Sequence, residues 1–89
     1  MYNYVNLIGT CKSIEKVEHE ISHTKIEIEI DSKLYNVCLF GYIQDIAKDI
    51  NIQKGDLICV KGCLDYLDNQ LIVKAERLVA LVGKKEEVK

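Results

Sequence analysis

The chain has 89 residues, 48% hydrophobic and 29% charged, with a formal net charge of −2. That length fits one domain near the lower limit for a self-sufficient core, which makes a partner subunit an expectation, and no apolar run approaches the length of a membrane span. The sequence pI near 5.6 excludes a strongly basic nucleic-acid binder, although Lys54, Lys61, Lys74, Arg77, Lys84 and Lys85 enrich the second half while Glu15, Glu18, Glu20, Glu27, Glu29 and Asp31 crowd the first. Met1-Tyr2-Asn3-Tyr4 lacks the basic region and cleavage pattern of a signal peptide, so a cytoplasmic location is expected. Cys11, Cys38, Cys59 and Cys63 form no C-x-x-C pair and are expected to stay thiols in a reducing cytosol. Cys59 with Cys63, and His19 with His23, are spaced wrongly for the usual zinc knuckles, so no metal site is expected.

Tyr4 to Val17 carries Val5, Leu7, Ile8, Ile14 and Val17 interrupted by Gly9, the pattern of a long strand that bends at its glycine. Ile21 to Asp31 alternates cleanly, with Ile26, Ile28 and Ile30 on one face and Lys25, Glu27, Glu29 and Asp31 on the other, which predicts a half-buried second strand. Leu34 to Phe40 is the third, with Tyr35, Val37 and Leu39 inward and Leu34, Asn36, Cys38 and Phe40 outward. A two-residue Ser32-Lys33 loop would pair Ile30 with Tyr35, Ile28 with Val37 and Ile26 with Leu39, and place Lys25 opposite Phe40, although Ser-Lys is not favoured turn chemistry.

Ile43, Ile46, Ala47 and Ile50 fall at i, i+3, i+4 and i+7, predicting a short helix with one apolar stripe that ends at Asn51. Leu57 to Leu64 is the fourth strand, with Ile58, Val60, Gly62 and Leu64 inward, and Gly62 marks a bend or a close backbone approach. A loop of about Tyr66 to Asn69 leads into a fifth strand, Leu71 to Leu81. Five strands with one short helix between the third and fourth predict an all-β fold, a five-stranded oligonucleotide-binding (OB) barrel over residues 1–82 with a polar end at 83–89.

N-x-V-x-L-I-G at Asn3 to Gly9, N-V-C-L-F-G at Asn36 to Gly41, the helix Ile43 to Ile50, and K-G-D-L-I-C-V-K-G-C-L from Lys54 to Leu64 together resemble the bacterial single-stranded DNA-binding protein family across nearly the whole chain. The resemblance implies a non-catalytic barrel without cofactor that assembles as a dimer or tetramer through its first strand. It also implies bases stacked on aromatic rings of the outer third strand and of the loops joining strands two to three and four to five. Only Phe40 matches such a ring directly; Leu34 stands where the family usually has another, and Asn36 between them is placed to meet a phosphate or a base edge. The long wrapping loops, any Trp and the family's acidic C-terminal tail are missing, so weak binding over a short site is expected.

Single-strand binding requires stacking faces and a cationic track for the backbone. Phe40, Tyr66 and secondarily Tyr42 are the candidates for stacking, Asn36 for a polar contact, and Lys12, Lys25, Lys61 and Lys74 for phosphate. The expected ligand is single-stranded DNA, with RNA the alternative, in replication, repair, restart or mobile-element maintenance. No membrane and no small-molecule substrate are expected. Glu27 and Glu29 beside the platform oppose a phosphate backbone within a Debye length of about 8 Å. They motivate a second reading, an OB barrel that has lost nucleic acid and serves as a protein-interaction or assembly subunit. Without a Gly-rich phosphate loop, a G-x-S-x-G or a Ser, His and Asp arrangement, an enzyme is not expected.

Overall fold

The computed structural model describes residues 3–18 and 21–81. Its elements in chain order are β1 (Val5–Val17), β2 (His23–Ile30), β3 (Lys33–Leu39), α1 (Tyr42–Asp49), β4 (Leu57–Leu67) and β5 (Gln70–Ala80). The strands close a barrel in the order β1-β2-β3-β5-β4. β1 is long enough to serve two neighbours, its first part pairing with β4 from Val5↔Gly62 to Thr10↔Leu57 and its second with β2 from Thr10↔Glu29 to Val17↔His23. A short parallel contact, Val37↔Val73 and Cys38↔Lys74, closes β3 on β5. This is the expected OB barrel, with its one helix between β3 and β4.

Alternation built the interior. Ile26, Ile28, Val37, Leu39, Ile58 and Val60 are fully buried, joined by Cys11, Val73, Ala75 and Leu78. Gly9 lies where a Cβ would run into the Glu29 carbonyl oxygen and the side chains of Ile28 and Ile30. The glycine therefore permits close approach of β2, while the irregularity in β1 falls later, between Cys11 and Ser13. Gly62 is tighter still, since a Cβ there would fall on the backbone carbonyl of Lys74.

The β2–β3 hairpin differs from expectation by two residues. The loop is Asp31-Ser32, both with positive φ (53° and 67°), as a two-residue turn that follows the right-handed twist of its strands requires. Asp tolerates that conformation because its short side chain bonds locally. The pairs become Ile28↔Tyr35, Ile26↔Val37, Lys25↔Cys38 and Thr24↔Leu39. A slip of two keeps every residue on its face and changes every partner. The β4–β5 turn, Asp68-Asn69, has the same two positive φ values (51° and 64°). Tyr66 is accordingly in β4 opposite Leu71, not in a loop. Leu64, expected inward, is substantially exposed; it pairs with Val73 at the last β3–β5 contact, beyond which this hairpin runs on without β3.

α1 follows Gly41 (φ 61°) and buries Ile43, with Ile46 and Ala47 packed against the core. It ends on a Schellman pair: the Asn51 amide donates to the Lys48 carbonyl at 3.0 Å and the Ile52 amide to the Ala47 carbonyl at 3.2 Å. Asn51 takes φ 56°, and the motif turns Ile52 into the core where the stripe alone had placed Ile50, which is partly exposed.

Candidate nucleic-acid interface

Residues paired across a ladder share a face, so the pairs Lys25↔Cys38, Cys38↔Lys74 and Lys74↔Cys63 make one row across the outside of β2, β3, β5 and β4. Two lysines thus flank Cys38. The Cys38 side chain has the parity of the outer face yet is buried, and burial pushes its thiol up while neighbouring Lys25 pulls the other way. Burial dominates, leaving a neutral, unreactive thiol as the floor between two cations. The Cys11 thiol in the core is raised too, by burial and then by the charge of Asp56.

Two adjoining hollows lie along this outer face. One, of about 220 Å³, is lined by Ile21, Phe40, Asp65, Tyr66, Leu67, Ile72 and Lys74. Here an aromatic following β3, an aromatic of β4 and a lysine of β5 converge, although they are remote in sequence. Tyr66 is 70% exposed, so its ring is free to meet a base. The second, of about 160 Å³, shares Leu67 and Ile72 with the first and adds His23, Lys25, Asn36 and Asp68. Five of the seven candidates thereby meet in one groove. Tyr42, at the start of α1, is exposed but lines neither hollow.

The other two candidates lie apart. Lys12 sits at the β1 irregularity with its Nζ 3.5 Å from a Glu29 carboxylate oxygen. Lys61 stands between Asn6 on β1 and Arg77 on β5, outside both hollows. The acidic flank is partly engaged within the protein, since Glu29 faces Lys12 and Glu27 accepts a hydrogen bond from Ser13 Oγ at 2.9 Å. A larger cavity of about 320 Å³ opens between α1 and the β1–β2 pair, where Gln44 Oε1 accepts from Lys16 Nζ at 2.8 Å and Thr24 Oγ1 at 2.9 Å. None of the candidates lines it.

One groove residue escaped the sequence reading. His23, considered in the sequence only for its spacing from His19, opens β2 and is 5% exposed, its ring centroid 5.0 Å from that of Phe40. His19 lies outside the described residues. The signal that exposes His23 is turn chemistry: with Asp31-Ser32 as the loop, the ladder Thr24↔Leu39 continues to His23 beside Phe40. The four thiols are free, and among the described residues no group of three or more His, Cys, Asp or Glu is arranged to hold a metal.

No family model matches the sequence, and no curated protein matches it either. Solved structures resemble the fold. The second single-stranded DNA-binding protein (SSBb) of Mycobacterium smegmatis is similar with a TM-score of 0.73 at 16% identity, covering 99% of each chain. Rim1, a mitochondrial single-stranded DNA-binding protein of S. cerevisiae, is similar at 0.72 and 21% identity, covering 97% of this chain and all of that one. The S. pombe Stn1–Ten1 complex is similar at 0.71 and 14% identity over 90% of this chain, which spans only 59% of the matched chain's length.

Proposed function

We propose that this OB barrel binds single-stranded DNA, without catalysis and weakly, in the groove across β2, β3, β5 and β4. The observation that carries the reading is the meeting of Phe40, Tyr66 and Lys74 around one hollow, the combination of stacking faces and cation that single strands require. The likeness to structures described as single-stranded DNA-binding proteins supports it. The setting we assign is the bacterial cytoplasm, in replication, repair, restart or mobile-element maintenance. Assembly is assigned to the outside of β1, where the apolar row Ile8, Cys59 and Val79 lies beside Leu57 and Leu81.

The test is a titration of labelled oligo-dT at low salt, repeated at rising salt. Phosphate contacts appear as a linear fall of log affinity with log salt, of slope about −0.7 per neutralised phosphate on a single strand. Phe40→Ala is expected to weaken binding by about 1–3 kcal/mol, the worth of one stacked base. No binding at low salt would falsify the reading. The same apolar row supports a second one, an assembly subunit without nucleic acid. Under it, light scattering shows a stable oligomer, Val79→Glu dissociates it, and Phe40→Ala leaves no oligonucleotide effect to find.

A further inference from the structure

We infer that the hollow around His23, Lys25 and Asn36 reads the edge of one base and favours cytosine; this rests on the single-strand reading above and gives it a sequence preference. His23 Nδ1 lies 2.8 Å from the Ile21 carbonyl oxygen. A carbonyl only accepts, so Nδ1 carries a proton, and in the neutral ring Nε2 is left with a lone pair. The ring is buried to all but 5%, and no hydrogen-bond partner for Nε2 exists among the described residues. A fixed acceptor of this kind beside a stacking ring is out of place in a groove that only stacks, because a buried polar atom without a partner costs free energy until something donates to it.

The neighbours define what that partner is. Along the outer face of β2, Lys25 follows His23 by one pleat, and on β3 the order runs Phe40, Cys38, Asn36, with Cys38 opposite Lys25. A base held against Phe40 therefore meets an acceptor at His23, then a donor at Lys25, then the Asn36 amide. The Asn36 and Lys25 side chains make no hydrogen bond or ion pair among the described residues. Cytosine presents amine donor, ring-nitrogen acceptor and carbonyl acceptor in that order. Adenine lacks the third group, and thymine and guanine begin with a carbonyl. Splayed single strands expose these edges for such contacts.

Labelled oligo-dC, oligo-dT and oligo-dA of equal length, titrated at one low salt concentration, test the assignment. The intact protein is expected to prefer oligo-dC over oligo-dT by about fivefold or more, the equivalent of one net hydrogen bond. His23→Phe keeps a ring beside Phe40 and removes the acceptor, so the preference for oligo-dC over oligo-dT collapses. His23→Gln, which retains an acceptor, recovers part of it. Asn36→Ala, at a half-buried surface position, lowers the preference for oligo-dC over oligo-dA without touching the His23 ring, since thymine carries the same third carbonyl as cytosine. Phe40→Ala weakens all three oligonucleotides together. Affinities equal within about twofold in the intact protein, or a preference unmoved by His23→Phe and Asn36→Ala, overturn the subsite alone. Failure of all three oligonucleotides to bind overturns the function on which it rests, and the subsite with it.

Discussion

Ile26 and Ile28 on β2 have no exposed surface, whereas Lys25 and Glu27, one residue away on the same strand, face outward and are half-buried. The two faces of one strand answer to different demands. Inside the barrel Ile26, Ile28, Val37, Leu39, Ile58 and Val60 are fully buried aliphatic side chains, and there volume decides. Outside, two aromatics, a histidine, two amides, two lysines and two carboxylates line the hollows, where charge and hydrogen-bond direction decide. Substitutions inside should therefore register as stability, and substitutions outside as ligand affinity with the fold intact.

The largest effect is expected at Gly62, where the two demands meet, since its missing side chain lets the outer-face residue Lys74 bring its backbone across the strand. Gly62→Val puts a branched side chain onto that carbonyl. Overpacking ordinarily costs about 1–3 kcal/mol when side chains can shift; against backbone the loss is greater, out of a total stability of about 5–10 kcal/mol for a domain of this size. Circular dichroism should show no cooperative melt. A normal melt would mean that β5 moves aside freely, and that the interior is not the rigid partner in the comparison.

Ile26→Ala comes next. Ile26 is fully buried between β1 and β3, opposite Ile14 and Val37, so truncation removes burial and leaves a cavity, worth about 2–5 kcal/mol. Urea denaturation measures it. Oligonucleotide affinity extrapolated to the fully folded protein should stay unchanged, which separates the interior from the groove a few ångströms away.

These faces were not equally legible in the sequence. Alternation alone named the interior, because Ile26, Ile28, Val37 and Leu39 keep their side of the sheet under any even slip of register. The groove depends on partners, and there a two-residue slip matters: pairing through Ser32-Lys33 sets Lys25 opposite Phe40, whereas the Asp31-Ser32 turn sets His23 there. Turn chemistry carried that information and hydrophobic pattern did not. Leu64 and Tyr66 alternate as if the barrel continued, and no local signal marks where a hairpin outgrows the strand beside it. Cys38 has outward parity but is buried, because a thiol is short enough to lie below the lysines on either side.

The smallest expected effect bears on the acidic flank, where a hydrogen bond within the protein engages a groove-side carboxylate. Glu27 accepts from Ser13 Oγ at 2.9 Å, a bond that an amide oxygen can also accept. Glu27→Gln therefore removes the charge and keeps the contact, and stability should change by no more than about 0.5 kcal/mol, as for an ordinary surface substitution. If the carboxylate repels a phosphate track running past Lys25, affinity for oligo-dT should rise, by less than about 1 kcal/mol because the pair is solvent-screened. The gain should fade as salt shortens the Debye length to about 3 Å near 1 M. Glu29→Gln should act in the same direction and more strongly, since it also releases Lys12 from its 3.5 Å partner. An unchanged affinity in both variants would place the strand's path over β5 and β4, toward Lys61 and Arg77, with β2 beyond its reach. A lower affinity in Glu27→Gln would mean that the Ser13 bond holds β2 in the shape the groove requires, and the two faces would then not be separable at that position.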